Sequence, residues 1–260
     1  MNILFSILKK LREEAKEQRR KQREACKLKF KESSKNILST EDAQSVKVGD
    51  MICVGDFMGI ALSVNTDCLV AIPAFRDDIY SGEWYEDQVY CIPDIHRTES
   101  SLRNSISHWI ISDAISTDNG EANQQAIESY LKRVKGPDYK YLYNYVKFPA
   151  FEYCMNSTDG CYLPAIDELM IFNDQDLLKN INGILQQYNA DVIIPTEGEF
   201  AYWSSTDDYN KEYSGLKDDY ISDSAAHAVR ISSDGSLEKV LISKSTYAQI
   251  LPYYKYRFNY

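Results

Sequence analysis

The side chains able to do chemistry fall into a few groups, and spacing decides what each can do. The six cysteines are Cys26, Cys53, Cys68, Cys91, Cys154 and Cys161, and the three histidines are His96, His108 and His227. No two cysteines form a C-x-x-C pair and the histidines are scattered, so zinc-ligand spacing is absent. Reduced cysteines serving as small core hydrophobes are the expectation; a Cys154–Cys161 bridge is the alternative in an oxidising compartment. Glu197 with Glu199, and Asp167 with Glu168, come closest to paired carboxylates. Spacing alone aims neither pair at one substrate; adjacent helical residues, for instance, lie about 100° apart.

Two polar stretches near the C-terminus carry more. Tyr202-Trp203-Ser204-Ser205-Thr206 lacks the G-x-S-x-G frame of a hydrolase elbow. On a strand, Trp203 is expected as a core anchor, with Ser205 and Thr206 bonding loop backbone. The alternative, a ligand groove, puts Tyr202 on the ligand face. The stretch that follows, Asp207 to Tyr220, is acidic and aromatic. Its carboxylates and Asn210 are ligand types that calcium takes, and its tyrosines suit sugars or protein partners. The spacing is not that of an EF-hand, so no cofactor, metal ligand or catalytic residue is assigned, and calcium stays an alternative. The candidate ligand-binding set is Tyr202, Asp207, Asp208, Tyr209, Asn210, Tyr213, Asp218, Asp219 and Tyr220.

The elements that must position these groups follow from period and punctuation. Met51 to Pro73 is a series of short apolar runs broken by Gly55-Asp56 and Asn65-Thr66-Asp67, which predicts strands joined by tight turns. Gly82 to Ile92 reads as loop or irregular strand. Ala126, Ile127, Tyr130, Leu131 and Val134 fall on one helical face, and Gly136-Pro137 ends it. Tyr139 to Cys154 is dense in aromatics and helical near its end. Pro164 opens a helix with acidic residues in its first turn. Leu177, Leu178, Ile181, Ile184, Leu185 and Tyr188 predict another over Asp176–Tyr188. From Phe200 the period becomes two, and Asp234-Gly235 marks a hairpin. Strands, then helices, then strands, predict an α+β fold with antiparallel sheets and two or three helices.

Charge divides the 260 residues. The net charge of −10 is the balance of about +7 over residues 1–36 and about −17 over the remainder. Residues 1–36 are expected to form a long basic amphipathic helix, 37–45 a polar linker, and 46–260 one domain rich in its 20 tyrosines. Ile3, Leu4, Ile7, Leu8 and Leu11 make an apolar stripe at helical spacing. The helix is expected to contact a partner protein, a second copy or a membrane surface; nucleic acid is disfavoured because the acidic body repels phosphates. No apolar run approaches the ~18 residues of a membrane span. The cations follow the apolar stretch and no small-x-small cleavage site appears, so no signal peptide is expected. The expected location is cytoplasmic or assembly-associated.

Several pieces stand in a familiar order: Asn119-Gly-Glu-Ala-Asn123, Phe148-Pro-Ala150, Gly160-Cys-Tyr-Leu-Pro-Ala-Ile-Asp-Glu-Leu169, Tyr202-Trp-Ser-Ser-Thr206, Val229-Arg230 and Asp234-Gly235. The order resembles the Lcl C-terminal domain family, bacterial domains of unknown function marked by W-Y-L-P-S-x-x-E-L and Y-W-S-S-T. The resemblance covers roughly residues 46–258. It implies a C-type-lectin-like fold in which the terminal strands pair and a long loop region makes the ligand face. Two positions depart from it: Cys161 stands for the family's Trp, and Ala165 for its Ser. That Ser would cap the helix while Glu168 completed a capping box. Without it, Glu168 is expected to bond a backbone N–H or a neighbouring loop. Trp203, Glu168 and Pro164 are thus expected to be structural.

The function expected is a non-catalytic binding module, a lectin-like body tethered by a basic helix, with an unidentified protein or carbohydrate ligand. The alternatives are an enzyme on a formylglycine-generating-like scaffold, disfavoured because no cysteine follows Cys161, or a receptor-binding protein diversified by a phage or retroelement.

Overall fold

The computed structural model describes residues 2–76, 114–134, 149–207, 225–243 and 248–258. Helix α1 (Asn2–Ser33) runs unbroken because nothing in it interrupts the hydrogen-bond ladder: it holds neither Gly nor Pro. Its last third is gripped by the body. Phe30 is fully buried, its ring edge-on to Phe75 at 5.6 Å and to Tyr188 at 5.2 Å. Two turns earlier, the Arg23 guanidinium lies 3.0 Å from the Asp191 carboxylate and donates to the Arg76 carbonyl at 2.7 Å.

Residues 37–45 depart from the linker expectation. Strand β1 (Lys35–Asn36) pairs in parallel with β2 (Met51–Val54), and between them α2 (Thr40–Gln44) opens with a capping box. The Ser39 hydroxyl accepts from the Asp42 N–H at 3.1 Å, and Asp42 accepts in return from the Ser39 N–H at 3.0 Å. Ile37 and Ala43 are buried, so the segment is part of the core.

The meander continues antiparallel through β3 (Phe57–Val64) and β4 (Cys68–Pro73). Gly55, at φ 59, turns the chain between β2 and β3 in a conformation most L-residues avoid. After the meander come α3 (Gly120–Val134), α4 (Pro149–Met155), β5 (Cys161–Tyr162), α5 (Ile166–Leu169) with a 3₁₀ turn at Met170–Asn173, and α6 (Gln175–Gln187). Asp174 caps α6, its carboxylate accepting from the N–H groups of Asp176 and Leu177. A second sheet holds β6 (Glu199–Asp207), β7 (Ala225–Ser232) and β8 (Leu237–Ser243), all antiparallel. The turn between β7 and β8 contains Gly235 at φ 85. The last strand, β9 (Tyr253–Arg257), returns to the first sheet and lies between β4 and β5, in the order β1-β2-β3-β4-β9-β5. The architecture is α+β, with an N-terminal helix and sheets that are antiparallel except at β1.

Strand β6 does not follow the expected alternation of buried and open positions. From Tyr202 to Asp207 every side chain is buried. Tyr202 packs on one side, in a cluster with Leu178 and Ile181 of α6; Trp203 packs on the other, with Ile127 of α3 and Phe151 and Cys154 of α4. A strand covered on both faces loses the period of two that one wet face imposes.

All five described cysteines are free thiols. Among the described residues, no helix is long and apolar enough to cross a membrane. The stretch from Gly82 to Ile92, Gly136-Pro137, most of the aromatic stretch from Tyr139, Cys91, His96 and His108 lie outside the described residues.

Candidate functional site

Three stretches far apart in the chain meet beside Trp203, and each is one of the sequence motifs. The contact is polar. Asn123, on α3, is 1 % exposed; its amide donates to the Ser205 hydroxyl at 2.9 Å and to the Ser116 carbonyl at 2.8 Å, and accepts from the Ser116 N–H at 2.9 Å. Next to it, the Gln124 amide donates to the Cys161 carbonyl and accepts from the Leu163 N–H. The Ser205 N–H donates to the Pro164 carbonyl at 2.8 Å. Asn119 begins α3, its side chain accepting from the Ala122 N–H. Gly120 must be glycine because a Cβ there would sit 2.3 Å from the Leu163 carbonyl oxygen and 2.7 Å from the Ala165 nitrogen.

Helix α5 shows how this junction works. Ala165 stands at its N-cap and offers no side-chain acceptor. The first helical N–H, of Ile166, instead donates to the Thr206 hydroxyl at 3.0 Å, and that hydroxyl donates onward to the Ser116 carbonyl at 2.8 Å. The second, of Asp167, donates to the Thr117 carbonyl at 2.7 Å. The orphan donors of a helix start are therefore met from β6 and from the segment before α3. Glu168 supplies the other half of the box. Its carboxylate accepts from the Ala165 N–H at 2.7 Å, the Gly120 N–H at 2.9 Å and the Tyr162 hydroxyl at 2.9 Å. Burial pushes its carboxyl above the ordinary 4.5, against the opposing pull of those hydrogen bonds and the Lys255 charge.

Beside the junction is a polar cleft of about 280 Å³, lined by Glu121, Gln124, Gln125, Thr158 and Asp159 among others. Glu121 bridges to β9: its carboxylate meets the Arg257 guanidinium at 2.6 Å and the Lys255 ammonium at 2.9 Å. Burial works to raise the Glu121 carboxyl, but the hydrogen bonds and charge of Arg257 and Lys255 overcome it and hold the group below its ordinary value. Nothing in the sequence pairs residue 121 with residue 257; only the insertion of β9 beside β5 does.

Chemically, these side chains hold backbone in place. The Ser204 hydroxyl donates to the His227 carbonyl and accepts from the Thr206 N–H. Burial pushes the Cys154 thiol well above its usual range, which disfavours the reactive thiolate. Among the described residues, no three His, Cys, Asp or Glu side chains come together as a metal would need.

Of the candidate ligand set, the structure describes two members, and both are inside. Tyr202 is a correction to the sequence expectation: it is 1 % exposed, and its hydroxyl donates to the Ile193 carbonyl at 2.9 Å. Burial pushes its phenol up to about 12. Asp207 is also buried, at the end of β6, where its N–H donates to the Ala114 carbonyl. Asp208, Tyr209, Asn210, Tyr213, Asp218, Asp219 and Tyr220 lie outside the described residues. Trp203 is fully buried, Pro164 is buried, and Glu168 bonds two backbone N–H groups. Compared with protein-family models, curated proteins and solved structures, the chain matches none.

Proposed function

We propose that the chain is a non-catalytic binding module of C-type-lectin-like fold, whose body takes a carbohydrate or protein ligand while the basic helix tethers it. One feature supports the fold reading: the motifs resembling the Lcl C-terminal domain family meet at one junction. The expected pairing of first and last strands is corrected, since β3 and β4 lie between β2 and β9. The functional reading is carried by one observation. The stretch with the acidic and aromatic candidates, residues 208–224, leaves from Asp207 and re-enters at β7, and both ends are fixed by the core: Asp207 is paired with Ala226 and bonded to Ala114. A loop mounted at both ends on rigid strands is a usual arrangement for recognition.

The test is the full chain on a glycan array and against a displayed peptide library, beside a variant with Tyr209, Tyr213 and Tyr220 changed to Ala. The expected result is a discrete ligand set that the variant loses at unchanged melting temperature. No ligand in either screen, or full retention by the variant, overturns the reading.

A further inference from the structure

We infer that the N-terminal half of α1 docks on an anionic lipid surface; this deepens the tethering part of the proposed function and rests on it. On this segment the large apolar residues stand in solvent along with the charged ones. Phe5 is 75 % exposed, Ile7 50 %, Leu8 51 % and Leu11 55 %, while Phe30 at the other end of the same helix is fully buried. At 100° per residue, Ile7, Leu8 and Leu11 occupy an arc of about 100°, centred about 80° away from the Arg23, Cys26 and Phe30 face that the body grips. Leu8 shares the azimuth of Cys26, five turns further on, so the stripe borders the docked face at Leu8 and turns away from it through Leu11 and Ile7.

Its charge selects the occupant. Lys9 and Lys16 fall on the side of the helix away from the stripe, Arg12 and Lys10 flank it, and the residues before the gripped Arg23 carry about +4. Apolar insertion together with a polybasic patch is the two-signal combination that holds a peripheral protein on anionic lipid. A second copy fits less well. Continued at heptad spacing, the stripe after Leu11 meets Ala15, Gln18 and Gln22, so the seam ends before the three to four heptads a coiled coil needs. The acidic body does not prevent docking. From Leu11 to the first gripped residue, Arg23, the helix rises about 18 Å, roughly two Debye lengths at physiological salt.

The experiment is co-sedimentation of the full chain with vesicles of phosphatidylcholine alone and of phosphatidylcholine with phosphatidylglycerol. The samples are the wild type, a Leu8→Glu/Leu11→Glu variant and a Lys9→Glu/Lys10→Glu variant. The changed side chains are exposed, so all three proteins should share one melting temperature. Binding is expected only to the anionic vesicles, weakening at high salt, with roughly a hundredfold loss for the leucine pair and a clear loss for the lysine pair. Failure to bind anionic vesicles overturns the inference, as does equal binding by the variants. A doubled mass by light scattering that the leucine variant loses, without vesicle binding, overturns it in favour of a second copy. Glycan and peptide binding measured on the same samples keeps the two readings apart: ligand binding without vesicle binding removes only this one, and the converse removes only the body's.

Discussion

Replacing Thr206 by Val tests whether α5 is capped from a distance. Val keeps the shape and removes the hydroxyl, so packing is nearly unchanged while two hydrogen bonds disappear. Thr206 is 2 % exposed, and its hydroxyl both accepts from Ile166 N–H and donates to Ser116 carbonyl. The Ser116 carbonyl keeps the Asn123 amide, so the one buried group left without a partner is the Ile166 N–H, and the expected loss is about 1–3 kcal/mol. Thr206→Ser keeps both bonds and loses one methyl, at a cost of about 1 kcal/mol. For a chain of this size, each kcal/mol lowers the melting temperature by about 2–4 °C. Urea denaturation gives both values, and hydrogen exchange at the Ile166 amide gives the local one, which should lose protection only in the Val variant. A Val variant no less stable than the Ser variant, or an Ile166 amide still protected in it, refutes the capping account and leaves α5 held by packing alone.

Two further outcomes follow from the same junction. Glu168→Gln should remove one component of the pH dependence of stability. Because burial raises the Glu168 carboxyl in the folded state, its contribution is fully present below about 4.5 and is lost as pH rises through the folded value. The stability difference between wild type and Glu168→Gln, from urea titrations across that range, should therefore fall with rising pH; a difference that is flat or rising contradicts the assignment. Gly120→Ala should cost more than about 3 kcal/mol, because the new Cβ meets backbone atoms of Leu163 and Ala165 that cannot yield. Gly183→Ala, at an open position on α6, should instead stabilise by up to about 1 kcal/mol. Equal effects by thermal melting would show that helix propensity, and not the close approach, governs both.

What the sequence revealed and what it hid divide along a physical line. Helices α3 and α6 were legible because each carries its apolar face at helical spacing, and the β7–β8 turn because Asp234-Gly235 has few other uses. The α2 segment was hidden although its capping residues, Ser39 and Asp42, stand at the diagnostic spacing. Its five residues hold too little apolar pattern to outweigh the polar composition around them. The burial of Tyr202 was hidden for a different reason. Local period reports whether one face is wet, and β6 has no wet face beyond Ala201 because α6 covers one side and α3 with α4 the other. The long-range bonds were the least legible: Thr206 to Ile166 and Glu121 to Arg257 join residues 40 and 136 apart.

The motif residues and the candidate ligand residues accordingly carry different kinds of information. Asn123 bonds Ser205, Ser205 bonds Pro164, Gly120 bonds Glu168 and Thr206 bonds Ile166, contacts that hold the last residues of β6 before Asp207. An isolated helix of four residues has no stability of its own, so α5 exists only when β6 and the segment before α3 close around it. A chain that keeps these residues keeps the mount, whatever it carries in the segment that starts one residue later. That is why a resemblance drawn from the motifs bears on the fold alone, and the binding role proposed for residues 208–224 stands on its own test.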